Sequence, residues 1–240
     1  MESFNSKVVL ITGGTKGIGY GIAEALLNLN MRVAITSRSL DSAEEAAKKL
    51  AKNGKGEVLG LEADVRDYKS QQKAVQKLMD TWGQIDVLIA NAGVGHFNPI
   101  DELSVEEWKQ TIDTNLSGVF YSIKSTVEAL KKTEGYIITI SSLAGTNFFE
   151  GGSAYNASKF GLTGFTQAAM LDLRKYGIKV STIMPGSVAT HFNDHQPSAK
   201  DAWKIQIEDV GELVVDLLKM NPRALPSKIE IRPSQPPQKK

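Results

Sequence analysis

Two different spacings of apolar residues alternate along the chain. Short continuous runs rich in β-branched residues, such as KVVLIT and RVAITS, are typical of strands buried on both faces of a sheet. Longer segments between them carry an apolar residue every three or four positions, which predicts helices that pack on that sheet. The spacings predict strands at 7–12, 32–37, 57–64, 84–93, 135–142, 178–186 and 227–232, and helices at 18–30, 41–52, 68–82, 104–131, 153–176 and 208–220.

Strands that alternate with helices from end to end predict right-handed βαβ units, and hence a parallel sheet covered by helices on both faces. Asp41 is the expected N-cap of the second helix. No linker interrupts residues 1–232, so we expect a single domain there. The remaining segment, PSQPPQKK (233–240), is rich in proline and glutamine, and we expect it to be disordered.

A glycine-rich turn, TGGTKGIG (12–19), joins the first predicted strand to the first predicted helix. Gly13, Gly17 and Gly19 would let the backbone turn tightly, approach a pyrophosphate and pack the helix on the strand. A purely structural turn would need no such position, at the carboxyl end of a strand. No Gly-Lys-Ser/Thr follows, which argues against a nucleotide triphosphatase.

The end of the second strand distinguishes the two nicotinamide cofactors. A carboxylate there would bind the ribose hydroxyls of NAD, but this chain has Ser37 and Arg38. Lys16, inside the glycine-rich turn, adds a second cation. Because a guanidinium can hold a phosphate with two hydrogen bonds, these residues favour NADP(H).

The stretch SAYNASKFG (153–161) puts Tyr155 and Lys159 four residues apart, on one face of a predicted helix. A nearby ammonium favours the phenolate and should lower the pKa of the tyrosine, which would make it a proton donor and acceptor near neutral pH. A bare pair at this spacing is more often a tyrosine and a solvated lysine on a helix surface.

The combined motifs decide between these readings. TGGTKGIG, NAG (91–93), DTNLSG around Asn115, ISS (140–142), YNASK (155–159) and PGSVAT (185–190) occur in the order and spacing of the classical short-chain dehydrogenase/reductase family, which the chain resembles over about residues 5–220. Within that family it looks most like the NADPH-dependent β-ketoacyl reductase-like and small-ketone reductase branches. The resemblance implies a Rossmann-type doubly wound α/β fold with about seven parallel strands in three αβα layers.

The resemblance also implies the site residues. Catalysis would fall to Asn115, Ser142, Tyr155 and Lys159, with Tyr155 as proton donor, Ser142 as hydrogen-bond donor to the carbonyl and Asn115 holding a water near Lys159. Asp64 and Val65 would lie at the adenine, and Val188 and Thr190 at the nicotinamide amide. The complete expected cofactor set is Gly13, Thr15, Lys16, Gly17, Ile18, Gly19, Ser37, Arg38, Asp64, Val65, Asn91, Ala92, Gly93, Tyr155, Lys159, Pro185, Gly186, Val188 and Thr190.

Four features depart from these expectations or leave them open. His191 and His195 have the spacing of a zinc-binding helix, but no third ligand is evident and we expect no metal. Phe148 and Phe149 follow the Ser142 strand and would line a substrate pocket, or belong to the core or an interface. Only about twenty residues separate Gly186 from the last helix, so a long helical lid is not expected. The C-terminus lacks the family's frequent closing Asp-Gly-Gly, which puts a tetramer in doubt; we expect a homodimer or homotetramer.

Composition excludes several other classes. The net charge of +1 gives no sign of a nucleic-acid or membrane-surface partner, and no apolar run is long enough to span a bilayer. Neither a signal peptide nor a cysteine is present, so a cytoplasmic protein is expected. The chain therefore reads as an NADPH-dependent reductase of a small-molecule carbonyl substrate. Alternatives are an alcohol dehydrogenase working in the oxidative direction, a sugar-nucleotide epimerase-type enzyme and a non-catalytic NADP-binding regulator.

Overall fold

Seven parallel strands form one sheet in the computed structural model, which describes residues 4–235. The strands are β1 (Val8–Ile11), β2 (Arg32–Ser37), β3 (Val58–Glu62), β4 (Val87–Ala90), β5 (Tyr136–Ile140), β6 (Lys179–Pro185) and β7 (Lys228–Ile231). Their order in the sheet is β3-β2-β1-β4-β5-β6-β7. This is the doubly wound Rossmann-type α/β sheet that the family resemblance implies.

Helices cover both faces of the sheet, because successive side chains of a strand point to opposite faces. The helices are α1 (Gly17–Leu27), α2 (Leu40–Asn53), α3 (Tyr68–Trp82), α4 (Val105–Ile112), α5 (Gly118–Thr133), α6 (Ser153–Leu173) and α7 (Ile207–Lys219). In β1, Val9 and Ile11 join the core under α1, α2 and α7, whereas Val8 and Leu10 join the core under α3, α5 and α6.

The two central strands, β1 and β4, are hydrogen-bonded neighbours, although two other strands separate them in the sequence. The chain leaves β1 toward one edge of the sheet and continues from β4 toward the other. Such a reversal opens a crevice at the carboxyl ends of the two strands, where ligands of this architecture bind. Within residues 4–235, no helix combines the length and the apolar character that a membrane crossing needs.

Three predicted helix details differ from the structure. The N-cap of α2 is Ser39, whose hydroxyl accepts from the Ser42 N–H, and not Asp41, which lies in the first turn. The segment predicted as one helix at 104–131 is two helices separated by a π-helical turn, Asp113–Ser117. The helix predicted to reach 176 changes to a 3₁₀ turn after Leu173 and ends at Gly177, which has a positive φ.

The C-terminal strand predicted at 227–232 is present as β7, which pairs with β6. Pro233, Ser234 and Gln235 follow it along the mouth of the crevice. The remainder of the tail that we expect to be disordered, residues 236–240, lies outside the described residues.

Candidate active site

A cavity of about 1380 Å³ occupies this crevice. Its wall contains residues that follow β1, β2, β3, β4, β5 and β6, together with one face of α6. The sequence-predicted site residues line it with two exceptions, Gly19 and Asn115, which are buried behind its wall. The structure therefore brings together residues that are more than 170 positions apart in the chain.

The glycine-rich turn is fastened to the end of β4 by four hydrogen bonds. The Thr12 hydroxyl accepts from the backbone N–H groups of Asn91 and Ala92, at 3.0 and 3.1 Å. The Asn91 side chain donates to the carbonyl oxygens of Thr12 and Gly13, both at 3.0 Å. An added Cβ at Gly19 would lie 2.5 Å from the Asn91 side-chain nitrogen, so only glycine fits there.

Helix α1 begins with its backbone N–H groups free of any side-chain cap. Its N-cap residue, Lys16, makes no capping hydrogen bond, and no acidic residue lies in the first turn. Gly13 and Gly17 both have φ near +60°, a backbone conformation that is unfavourable for residues other than glycine. An uncapped helix N-terminus carries partial positive charge, so this arrangement fits the pyrophosphate of a dinucleotide.

Three positively charged side chains surround this end of the cavity: Lys16, Arg38 and Arg66. Arg66, which the motif analysis missed, binds the Asp64 carboxylate with its Nη2 2.6 Å from Oδ2. The hydrogen bond from Arg66 holds the pKa of Asp64 below its usual value, and the charge of Arg38 acts in the same direction. Asp64 is therefore ionised and paired, while the structure gives Arg38 no ion-pair partner among the described residues.

At the centre of the cavity, Tyr155 and Ser142 lie side by side. Burial raises the pKa of the Tyr155 phenol, and a hydrogen bond with the Ser142 side chain lowers it by less. The Ser142 hydroxyl also accepts from the Ala144 N–H, 3.1 Å away, at the first turn after β5. The phenol is therefore protonated at neutral pH.

Lys159 is almost fully buried below the tyrosine, and its Nζ donates to the carbonyl oxygen of Ile140, 3.0 Å away. Burial lowers the pKa of Lys159 to about 8. Its Nζ lies 5.6 Å from the centre of the Tyr155 ring. The expectation that this lysine lowers the pKa of the tyrosine is wrong for the structure described here, because burial of the phenol has the larger effect.

Asn115 lies in the π-helical turn that interrupts the predicted long helix, and a π turn of this kind often marks a functional site. Its side-chain oxygen accepts from the Val94 N–H, and its nitrogen donates to the Val94 carbonyl and to the Ser158 hydroxyl. Both amide hydrogens are thus used by the protein. The side chain fixes the segment after β4 beside Lys159. The water-holding role expected of Asn115 stays a prediction.

Asn156 holds the loop after β5, a role that the sequence motif around Tyr155 does not indicate. Asn156, on α6, donates to the carbonyl oxygens of Ala144 and Asn147 and accepts from the Phe149 N–H. The ring of Phe149 thereby joins a cluster of rings beside Tyr155. Phe148 also lines the cavity and is 85% exposed, so it is not a core residue.

The segment between β6 and α7 crosses the cavity mouth in two short 3₁₀ turns, Phe192–Asp194 and Ala199–Asp201. It has no α-helix, as its shortness predicts. A β-bridge between Val188 and Ile205 closes its base. The buried Asp201 carboxylate accepts from His195 Nε2 at 2.9 Å and pairs with Lys204 Nζ at 2.6 Å. Asp201 therefore ties the two turns together.

Comparison with known proteins identifies the family. The model of the short chain dehydrogenase family matches residues 7–201, which is most of the chain. The chain belongs to the short chain dehydrogenases. The match to this oxidoreductase family covers the glycine-rich turn, the Ser142 strand and the Tyr155 helix, but not the cavity-lining residues after 201.

Three curated relatives of this short chain dehydrogenase carry different activities. It is 36% identical to trans-4-hydroxycyclohexanecarboxylate dehydrogenase of Sinomonas cyclohexanicum over 85% of this chain and 83% of that protein. It is 36% identical to 3-oxoacyl-(acyl-carrier-protein) reductase FabG of Escherichia coli (strain K12), over 78% and 76%. Glycine betaine reductase ATRR of Emericella nidulans is 31% identical over 97% of this chain, which spans only 19% of that longer protein.

A solved structure shares the whole fold of this short chain dehydrogenase. The alcohol dehydrogenase from the archaeon Thermococcus sibiricus, complexed with 5-hydroxy-NADP, superposes with a TM-score of 0.91 and 29% identity. The match covers 98% of this chain and all of the other. The family to which this chain belongs therefore includes proteins that bind a nicotinamide cofactor.

The two histidines that suggested zinc do not lie on an α-helix of this short chain dehydrogenase. His191 precedes a 3₁₀ turn and His195 binds Asp201. Among the described residues, no three histidine, cysteine, aspartate or glutamate side chains are grouped so that they could hold a metal ion.

Proposed function

We propose that this short chain dehydrogenase reduces a ketone or another carbonyl compound to an alcohol with NADPH. The observation that carries the proposal is the meeting of one phenol, one hydroxyl and one buried ammonium in the wall of a single cavity. Tyr155, Ser142 and Lys159 supply these groups, and the same cavity extends to the glycine-rich turn. Each group has a separate task in carbonyl reduction.

Tyr155 would give its phenolic proton to the carbonyl oxygen of the substrate. Because burial raises the pKa of the phenol, the proton is present at neutral pH. Oxidation of an alcohol would need the phenolate in its place. The phenol thus holds, at neutral pH, the proton that reduction of a carbonyl consumes.

Ser142 and Lys159 would stabilise the charges that appear as the proton moves. The Ser142 hydroxyl lies beside the phenol and would donate a hydrogen bond to the same carbonyl oxygen, where negative charge develops. The ammonium of Lys159, 5.6 Å from the ring centre, would favour the phenolate that Tyr155 leaves behind.

The residues of the other end of the cavity fit NADPH. The free N–H groups at the start of α1 would hold the pyrophosphate, and Arg38 with Lys16 would hold the 2′-phosphate that distinguishes NADPH from NADH. When bound, NADPH would supply the hydride that the carbonyl carbon receives. The complex of the Thermococcus sibiricus relative with an NADP derivative supports this choice of cofactor.

Two alternatives remain to be compared with reduction. Two of the relatives have names that describe dehydrogenases, which supports the oxidative direction as the second candidate. A non-catalytic NADP-binding regulator would need none of the four expected catalytic residues. All four are present: Ser142, Tyr155 and Lys159 line the cavity, and Asn115 lies behind its wall.

The test is steady-state oxidation of NADPH, followed by its absorbance, against ketones, diketones, quinones and acyl thioesters, with NADH in parallel. Each product alcohol is then offered with NADP⁺ at the same pH. We expect the protein to reduce at least one carbonyl compound, and to do so faster with NADPH than with NADH. At pH about 7 this reduction should also be faster than oxidation of the product alcohol with NADP⁺. Tight NADPH binding without turnover of any compound would favour the regulator.

We also propose that the protein is a homodimer that joins through α6. Its outer face, between Ala157 and Leu171, carries no charged residue, and Phe160 and Leu171 are 42% and 54% exposed. One turn from the Phe160 ring is Gly164, where an added Cβ would meet nothing within 4 Å. A ring and a gap on one helix are complementary to the gap and the ring of a second copy related by a two-fold axis.

Light scattering on the wild type and on Phe160→Glu tests this proposal. The wild type should have twice the mass of the variant, and a monomeric wild type would refute the dimer.

A further inference from the structure

Aromatic rings occupy the end of the cavity beyond the Tyr155 phenol. We propose that four aromatic side chains form an aromatic box, namely Phe97, Phe149, Phe192 and Tyr155. The box selects flat, uncharged cyclic ketones, in which the ring that carries the carbonyl is fused to an aromatic ring or is itself a quinone. The inference names the substrate class for the site proposed above and thus rests on the proposed function. It also assigns Phe97 as the residue that determines specificity.

Phe97 is the centre of the box. Its ring centroid lies 5.3 Å from that of Tyr155 in an edge-on geometry, 5.8 Å from that of Phe149 and 6.3 Å from that of Phe192. The rings of Tyr155 and Phe192 are 5.8 Å apart. Contacts of this kind contribute beyond the area they bury, by about 0.5–1.5 kcal/mol each. All four residues line the cavity, so a flat ring of a substrate would lie against the cavity-facing side of the box and make contacts of the same kind.

The four rings come from four separate segments, so their meeting is not a local accident of sequence. Phe97 follows β4, Phe149 follows β5, Tyr155 lies on α6 and Phe192 follows β6. None of the three phenylalanines is a core residue, because each is between 37% and 48% exposed. Exposed rings that converge on a catalytic phenol are poorly explained by packing alone.

Two glycines make room for the rings. An added Cβ at Gly95 would lie 2.7 Å from the ring tips of both Phe97 and Phe192. An added Cβ at Gly152 would lie 2.7 Å from the Phe149 ring. Neither glycine has a positive φ, so close neighbours, and not the backbone conformation, require the missing side chain. The neighbours are the two rings at Gly95, and the Phe149 ring together with Asn156 Oδ1 (2.6 Å) at Gly152.

The charges around the box argue against the other ligand that aromatic cages bind, a quaternary ammonium. Among the described residues that line the cavity, the single carboxylate is Asp64, which lies at the cofactor end and is paired with Arg66. The cations at the mouth, Lys204 and Arg232, are paired with Asp201 and Glu230. The box therefore offers a cationic ligand no counter-charge. The polar groups that we assign to substrate binding beside the box are the hydroxyls of Ser142 and Tyr155. Both can donate a hydrogen bond to one carbonyl oxygen.

The experiment compares two ketones with the same carbon skeleton, the flat benzo-fused 1-tetralone and the saturated, puckered 1-decalone. The quantity measured is the ratio of their kcat/KM values in the wild type, in Phe97→Leu and in the control Phe120→Leu, which changes an exposed ring outside the cavity. Leucine keeps an apolar side chain and removes the ring. Comparing ratios between variants cancels the different intrinsic reactivities of the two ketones.

We expect the preference for 1-tetralone to fall by about tenfold in Phe97→Leu, as loss of one or two ring contacts implies, and to stay within about twofold in Phe120→Leu. A second readout that needs no turnover is the dissociation constant of 2-naphthol against that of its saturated counterpart, decahydro-2-naphthol, by calorimetry. The same pattern is expected there.

The outcomes separate the two proposals. If carbonyls are reduced but the ratio is the same in all three proteins, the aromatic box is refuted and the proposed function stands. If no carbonyl is reduced but Phe97→Leu still weakens 2-naphthol selectively, the reductase is refuted and the box is supported. Inhibition by tetramethylammonium at concentrations comparable with those of 2-naphthol would refute the assignment to uncharged ligands.

Discussion

The two ends of the cavity are held by different kinds of contact. At the cofactor end, the side chains of Thr12 and Asn91 join the glycine-rich turn to the end of β4 by hydrogen bonds with backbone groups, at 3.0 to 3.1 Å. At the substrate end, rings on three loops and on α6 meet at 5.3 to 6.3 Å, and one buried carboxylate, Asp201, ties down the segment across the mouth.

This difference explains which properties of the enzyme belong to the fold and which belong to this chain. Backbone groups at strand ends are the same in any sequence that forms the sheet, so the cofactor end follows from the fold once its glycines and the side chains of Thr12 and Asn91 are in place. Ring contacts depend on the side chains themselves. Activity with a nicotinamide cofactor should therefore survive changes at the substrate end, whereas selectivity should not.

The largest effect is expected where the two ends meet, at Tyr155. Tyr155→Phe removes only the phenolic oxygen, and with it the proposed proton donor. Turnover should fall by about 10²-fold or more, while NADPH binding, measured by fluorescence titration, should stay near the wild-type value.

Tyr176→Phe is the matched control, because Tyr176 is an exposed tyrosine outside the cavity. It should leave turnover unchanged. Near-normal turnover of Tyr155→Phe with every accepted ketone would mean that another group delivers the proton.

At the cofactor end, Arg38→Ala should weaken NADPH far more than NADH. A guanidinium–phosphate contact contributes roughly 1.5–3 kcal/mol, or about 10- to 150-fold in affinity. The measurement is a pair of binding titrations with the two cofactors, with Arg174→Ala on an exposed turn as control. Equal losses for NADPH and NADH would rule out Arg38 as the selecting residue.

A third prediction concerns the buried Lys159. Its pKa is about 8 in the folded protein, against an ordinary value near 10.5, so the unfolded chain holds more protons between these pH values. The cost of burying the ammonium is thus full below pH about 8 and disappears as the pH rises to about 10.5. Urea unfolding at several pH values should show that the stability of the wild type relative to Lys159→Met increases across this window. A difference that is independent of pH would contradict the lowered pKa.

The smallest effect is expected at the cavity mouth. Asp201→Asn removes the ion pair with Lys204 and keeps the size of the side chain, so the segment 187–206 should loosen. Hydrogen exchange there should become faster, and KM for ketones should rise by about three- to tenfold, with little change in the affinity for NADPH. Asp216→Asn, on the exposed face of α7, is the control. Unchanged exchange in Asp201→Asn would mean that the Val188–Ile205 bridge holds the segment alone.

The same contrast explains what the sequence could predict. The strands, the helices and nearly all residues of the cofactor end follow from apolar spacing and from motifs, because both reflect local backbone geometry. Arg66 was missed because its contact with Asp64 is an ordinary surface pair in sequence terms. The aromatic box was missed because Phe97 and Phe192 are 95 residues apart, and no local pattern shows that they meet.

Two errors have physical causes of the same kind. The helix at 104–131 carries an unbroken apolar spacing, and the π turn at Asn115 depends on hydrogen bonds to Val94 and Ser158, which the spacing does not reveal. The pKa of Tyr155 was expected to be lowered by Lys159, four positions away. How deeply a phenol is buried depends on the whole fold, and here burial dominates.

The most direct test of the central claim is the fate of the transferred hydrogen. The ketone with the highest turnover is incubated with NADPH deuterated at the transferring position of its nicotinamide, and the product is analysed by mass spectrometry. We predict an alcohol with one deuterium on the former carbonyl carbon, formed in equal amount to the NADPH consumed, by the wild type and far more slowly by Tyr155→Phe. Consumption of NADPH without a deuterated alcohol, or equal rates for the two proteins, would contradict carbonyl reduction with Tyr155 as the proton donor.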